Sequence, residues 1–492
     1  MKIPGHTGML CIVALLILTT ISAAEGVLLQ NGTPADTSNT SDNLVVHRSN
    51  QRDIAEITLI PLVNYQTGGY HGNQVRQAAG GTGADARSTT RVSVRSNGNQ
   101  GNSYSRESSI SGNTGFVAFG SNATNLVAGD TNGMRDIFVH EIGTGATTRV
   151  SVRSDGDQGD GASYSPSISR NGQIVAFDSV AANLVNGDTN HARDVYIHNR
   201  KTGVTRRISV SSTGGQANGF SYNPAISSNG RYVAFESYAT NLVDADTNIK
   251  GDVFVHDRQT GATTRVSVRS NGNQGNGDSY SPSISADGRY VAFESAATNL
   301  VAGDTNGAWD VFVHDRQTGA TTRVSVRSNG NQGNDDSYDP SISADGRFLA
   351  FYSGAANLVA GDTNGVYDVF VHDRDTGATK RISVRSNGNQ GDSYSVRPAI
   401  SSNGRYVAFD SGATNLVAGD TNEEYDVFLH DRQTAETMRV SVRSNGNQGN
   451  GYSYNPSISA AGGGVTFESD ATNLVAGDTN GEYDIFVSSF VS

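Results

Sequence analysis

Short runs of alternating or continuous apolar residues return in the same order every 58 residues. The arginine that opens each unit falls at Arg91, Arg149, Arg207, Arg265, Arg323, Arg381 and Arg439, and no insertion disturbs the register. The fourth copy, from Thr263 to Gly319, shows four runs of strand character. RVSV at 265–268 alternates polar and apolar residues, and SPSIS at 281–285 is a second short run ahead of the turn residues ADG. RYVAFES at 289–295 and DVFVHD at 310–315 are rich in β-branched and aromatic residues whose apolar side chains face both ways. A strand with two apolar faces must be covered on both.

Seven four-stranded sheets that each need cover on both faces are satisfied by radial packing, in which every sheet covers the next. The pattern therefore predicts an all-β chain with a seven-bladed β-propeller over residues 89–492. The repeats begin with TTRVSV at 89–94 and end with YDIFVSSF at 483–490, so the terminal copies are incomplete blades. With SPSIS innermost and RVSV outermost, the N-terminal outer strand completes the three C-terminal inner strands. That pairing closes the ring and removes exposed sheet edges.

At SADGRYVAF and DVFVHD the unit resembles the TolB-like, WD-repeat-related β-propeller family, whose blades carry an SPDG turn, an apolar IAF strand and a DIYV-type strand. The resemblance covers all seven copies and implies the propeller fold. The loop before DVFVHD is longer than in TolB-type blades, and residues 25–88 are short and unlike the TolB N-terminal domain, so a Tol–Pal transport role is not implied.

Ahead of the repeats, Lys2 precedes an apolar run from Met9 to Ile21, followed by Ser22, Ala23 and Ala24. Residues 1–24 are expected to be a secretory signal peptide cut after Ala24, with retention as an anchor the alternative. The only cysteine, Cys11, lies inside that run, so disulfides are not expected to hold the fold. Residues 25–88 are expected to be a polar, largely disordered linker with one strand at 57–63. These features predict a secreted chain, extracellular or periplasmic, with no membrane span once processed and a monomeric state.

Composition agrees with many short strands and turns: Gly is 58 of 492 residues and hydrophobic residues are 35%. A net charge of -12 argues against nucleic acid as a partner, because phosphate binding needs a basic surface. Loop length separates the two faces of the ring. The turns ADGR and DRQTGA are tight, whereas RSNGNQGNGDSYSP and SAATNLVAGDTNGAWD are long and mark the candidate binding face.

The long loops carry an Asp, an Asn two residues on and an Asp six residues on, in all seven copies. The residues are Asp130, Asn132, Asp136; Asp188, Asn190, Asp194; Asp246, Asn248, Asp252; Asp304, Asn306, Asp310; Asp362, Asn364, Asp368; Asp420, Asn422, Asp426; and Asp478, Asn480, Asp484. Hard oxygens at alternate loop positions suit Ca2+, with backbone carbonyls or water completing the shell. The competing reading is structural: Asx-turns at the first Asp and the Asn, with the second Asp capping the third strand. The residue after the Asn is Gly in four copies but His191, Ile249 and Glu423 in three, which argues against a left-handed turn common to all copies.

Histidines near the end of the third strand, His140, His198, His256, His314, His372 and His430, lack a second histidine at ligand spacing and read as half-buried inter-blade hydrogen-bonding groups. Tyr280, with Tyr164, Tyr222, Tyr338 and Tyr454, and with Tyr104 and Tyr394 displaced by two residues, falls near the mouth of the channel, and Trp309 lies on the same face. These rings rim the channel or stack on a sugar or peptide. No nucleophile elbow, zinc spacing or phosphate loop is present, and the symmetry-breaking residues His191, Arg193, Lys250, Asp335, Asp336, Glu423 and Glu424 form no recognisable catalytic set. The expectation is a non-catalytic, secreted or surface-exposed propeller that binds a protein or glycan through its long-loop face. The alternatives are a polysaccharide lyase or hydrolase acting at the channel mouth, and a structural surface-layer element.

Overall fold

The computed structural model describes residues 87–490. The expected signal peptide, linker and strand at 57–63 lie outside the described residues. Within them the chain forms 28 strands and seven four-stranded antiparallel sheets. We number the sheets as blades 1 to 7 from Ser105 onwards. In blade 4 the innermost strand is Ser279–Ile284, the second Tyr290–Ser295, the third Asp310–Asp315 and the outer Ala320–Arg323. Each innermost strand packs against that of the next blade, and the seventh packs against the first, so these strands surround one axis.

The ring closes as the sequence pattern requires. Arg87–Arg91 pairs antiparallel with Asp484–Phe490 as the outer strand of blade 7, with Thr89 opposite Ser488. Core clusters form between neighbouring blades, not within one. Ala292, Val311 and Val313 of blade 4 pack on Leu349, Phe351 and Phe370 of blade 5, all of them fully buried or nearly so. This inter-blade burial is why the second and third strands carry apolar residues on both faces.

The outer strand ends earlier than RVSV suggests. In blade 4 it stops at Arg323, and the serine of the motif, Ser325, replaces the ladder: its hydroxyl accepts from the Val311 amide at 3.2 Å. On the tight-turn face the ADG turn needs its glycine. Gly288 has φ +78°, and a Cβ there would lie 2.1 Å from the ring of Tyr232 in the preceding blade. The opposite connections run from 296 to 309 and from 266 to 278, which confirms the inequality of the two faces.

Candidate functional site

The Asp-Asn-Asp loops are built around arginine. In blade 4 the Arg323 Nη1 lies 3.2 Å from Asp304 and 3.0 Å from Asp310. Asp310 is fully buried and also accepts from the Ser325 hydroxyl at 2.5 Å. Asn306 Nδ2 donates to the Gly333 carbonyl in the connection to the next blade at 3.1 Å, while its Oδ1 accepts from the Ala308 amide at 3.2 Å, an Asx-turn. The arginine pairs with both carboxylates in every blade, from Arg149 with Asp130 and Asp136 to Arg91 with Asp478 and Asp484. Burial outweighs the arginine and the serine, and pushes Asp426 and Asp484 up to about 6.

This donor set does not fit a calcium ion as it stands, because a guanidinium already lies against both carboxylates and no third carboxylate joins them. Among the described residues no group of three or more His, Cys, Asp or Glu converges on a point. The calcium expectation finds no support in this arrangement. The Asn makes an Asx-turn, while the first Asp pairs with arginine and in three copies, Asp246, Asp362 and Asp420, also accepts from the backbone of the Asn two residues on. The residue after the Asn is left-handed in all seven copies, at φ +54° in His191 and Ile249 and +59° in Glu423, as at Gly307. The closed hydrogen-bond network imposes the turn where the residue type disfavours it.

The histidines are structural, although their bond lies within a blade. His314 Nδ1 is 2.9 Å from the hydroxyl of Thr321 on the adjacent outer strand, and that hydroxyl donates to the Val268 carbonyl at 2.5 Å. Burial lowers His198, His314 and His430 to about 4, so the rings are neutral near pH 7.

The channel mouth on the long-loop face differs in kind. At the third residue of each innermost strand the ladder shifts register, and the residue there is left-handed: Glu107, Ser165, Asn223, Ser281, Asp339, Arg397 and Asn455, with φ between +46° and +57°. Facing them, at the penultimate residue of each second strand, stand Gly120, Asp178, Glu236, Glu294, Tyr352, Asp410 and Glu468. The five carboxylates among these are buried, and each accepts a backbone N–H from the bulge of the following blade. Glu236 takes that of Ser281 at 3.0 Å, Glu294 that of Asp339 at 2.7 Å and Asp410 that of Asn455 at 3.3 Å. In blade 1, where Gly120 has no side chain, Glu107 supplies the carboxylate to the Ser165 amide at 2.8 Å. Burial raises Asp178 to about 6, Glu236 and Asp410 to about 7 and Glu294 to about 8, and also raises Asp339 against the pull of Arg397.

Above this ring the aromatic residues touch in sequence. Tyr222 meets Tyr238, which hydrogen-bonds Tyr280; Tyr280 stacks on Trp309 at 5.5 Å; Trp309 meets Tyr338, and Tyr367 continues the arc to Tyr394. Around blades 1 and 2 arginines replace rings: Arg106 lies 4.2 Å over Tyr483, and Arg193 4.2 Å over Tyr164 while pairing with Asp178. A cleft of about 510 Å³ opens between blades 7 and 1, lined by Tyr104, Arg106, Arg135, Asp470, Glu482 and Tyr483.

The structure thus brings together several symmetry-breaking residues that form no set in the sequence. Lys250 reaches Asp278 at 3.6 Å, and Asp336 accepts from the Trp309 amide at 2.8 Å. Sequence reading missed the bulge residues and the buried carboxylates facing them. The signal lies in the positions that differ between copies: the bulge reads Glu, Ser, Asn, Ser, Asp, Arg, Asn, the residue facing it Gly, Asp, Glu, Glu, Tyr, Asp, Glu, and their neighbours vary as well. The position of Arg106, for example, reads Arg, Tyr, Tyr, Tyr, Tyr, Val, Tyr, and that of Arg135 reads Arg, Arg, Gly, Trp, Tyr, Tyr, Tyr.

The fold these residues define is that of a seven-bladed β-propeller, and the chain is similar to several solved structures. TolB from Agrobacterium tumefaciens is 15% identical, with 70% of this chain and 94% of that one covered and a TM-score of 0.38. An oligogalacturonate lyase in complex with manganese, and the oligogalacturonate lyase from Vibrio parahaemolyticus, are each 12% identical, cover 82% of this chain and 93% of their own, and give TM-scores of 0.49. At such identities the likeness is one of fold. The sequence matches no family model and no curated relative. Among the described residues no helix is long and apolar enough to cross a membrane.

Proposed function

We propose that this is a secreted or surface-exposed propeller that binds a glycan or protein ligand at the channel mouth of its long-loop face. One observation carries the reading: in a chain of near-identical copies, positions that differ between copies, such as those of Arg106, Glu107 and Arg135, gather at the channel mouth, where Arg106 and Arg135 line a cleft and Tyr280, Trp309 and Tyr338 touch in sequence. Differences between copies that serve no blade are free to serve a ligand, and a ligand on the axis meets all seven copies at once. Tyr280, Trp309 and Tyr338 offer flat apolar faces with polar edges, suited to a sugar ring or an aromatic side chain. The arginine-centred loops hold that surface rigid. The test is a glycan and peptide array probed with the wild-type chain and with Tyr280→Ala/Trp309→Ala. Loss of the wild-type signals in the variant supports the site, and unchanged signals refute it.

A second reading, a polysaccharide lyase or hydrolase, draws on Glu294 and Asp339. Two neighbouring carboxyls whose affinity for protons is raised by burial at a channel mouth are the kind of group that transfers protons. Turnover of a polyuronide panel by the wild type, lost in Glu294→Gln, would favour it over pure binding.

A further inference from the structure

A second feature repeats around the rim of the long-loop face, away from the axis. In blade 1 a cavity of about 290 Å³ is lined by Arg95, Ser96, Asn97, Leu126, Val127 and Thr147. In blade 7 a cavity of about 300 Å³ is lined by Arg443, Ser444, Asn445, Leu474, Val475 and Thr89. These are the same repeat positions, and Thr89 takes its place only because the N-terminal strand closes the ring. In both, the serine hydroxyl accepts from the threonine amide, at 2.9 Å in blade 1 and 3.0 Å in blade 7, which fixes the wall. The same latch joins Ser270 to Thr321, Ser328 to Thr379 and Ser386 to Thr437.

The arginine of this cavity is half-buried in blades 1, 4, 5, 6 and 7, as Arg95, Arg269, Arg327, Arg385 and Arg443. Among the described residues none of these five guanidinium groups has a carboxylate, carbonyl or ring as partner. That is unusual in a chain of net charge -12, where the loop arginines Arg323 and Arg265 each hold two carboxylates. Blades 2 and 3 lack the feature: Arg153 is tied to Asp155 at 3.2 Å, and blade 3 has Ser211 in place of arginine and Asp244 in place of alanine.

We propose that this rim position, a cavity in blades 1 and 7 and built from the same residues in blades 4, 5 and 6, binds the repeated carboxylates of an acidic polysaccharide, one uronate residue to a site. The guanidinium supplies a planar pair of donors for a carboxylate. The partly exposed valine wall accepts the C–H face of a sugar ring, and five equivalent sites on one rigid ring convert weak single contacts into avidity. The proposal is independent of the channel-mouth ligand.

The test measures binding of the full chain to alginate, to neutral dextran of matched length, to glucuronate and to polyphosphate. Alginate is expected to bind at least about 100-fold more tightly than glucuronate, and to weaken with salt, while dextran does not bind. Replacing the five arginines by alanine is expected to weaken alginate at least tenfold with an unchanged melting curve, whereas Arg153→Ala, in a blade that lacks the feature, leaves it intact. Ser211→Arg with Asp244→Ala, which builds a sixth site, is expected to tighten it. Equal alginate binding by the five-alanine variant, binding of dextran, or binding of polyphosphate alone would each overturn the assignment.

Discussion

The arginine-centred loops and the channel mouth lie on the same face and are built from the same repeat, yet they differ in what varies. Around Arg323 the partners Asp304, Asn306, Asp310 and Ser325 recur in every copy. At the mouth, the counterparts of Ser281 are Glu, Ser, Asn, Asp, Arg and Asn. The first region must be the same seven times because each blade needs it to fasten its third strand, its outer strand and the next connection. The second hangs from a bulge whose backbone is the same in every copy while its side chains find different partners, Glu107 the Ser165 amide and Arg397 the buried Asp410, so its chemistry varies from blade to blade. Identity between copies marks the fold, and difference marks the site.

Arg323→Ala attacks the identical region and is expected to have the largest effect. It leaves Asp304 and Asp310 buried without a cation, at a cost of about 3–5 kcal/mol, read from denaturant midpoints. Adding Asp310→Asn should recover part of that loss.

Changing pH probes the variable region. Glu236 and Asp410 titrate at about 7 in the folded chain, and Glu294 is also raised, against roughly 4 when unfolded. The folded chain therefore keeps protons that the unfolded chain has released, and stability falls as pH rises towards the folded values. The buried histidines oppose this below about pH 6.5, because folding lowers their pKa. A net decline of a few kcal/mol is expected from about pH 6.5 to 8, and Glu294→Gln should reduce it more than Glu236→Gln.

Ile249→Gly relieves a β-branched residue held at φ +54° and 83% exposed, and should stabilise by about 1 kcal/mol. Melting curves in Ca2+ and in chelator should coincide, since the guanidinium already serves the acidic pair; an upward shift with Ca2+ would revive the loops as cation sites.

The repeat length, blade number, ring closure and unequal faces were legible in the sequence because they follow from periodicity and two-sided burial. The outer strand was read two or three residues late, because Ser325 continues the alternation of RVSV while its side chain replaces the ladder. The left-handed turn at His191, Ile249 and Glu423 was illegible because network closure, not residue preference, sets it. The channel carboxylates were hidden inside strands such as YVAFES, where Glu294 reads as a solvent-facing residue until the next blade's bulge covers it.

The division between fold and site is tested most directly by making the mouth symmetric. In one chain, Arg106→Tyr, Glu107→Ser, Asp339→Ser, Val396→Tyr and Arg397→Ser, with Asp410→Asn so that no carboxylate is left buried without its arginine, give every innermost strand the tyrosine of the fourth copy and remove the charged bulge residues. The array signals of the wild type should be lost while the protein still melts cooperatively within about 5 °C of it. Retention of those signals, or loss of the folded state, would contradict the account.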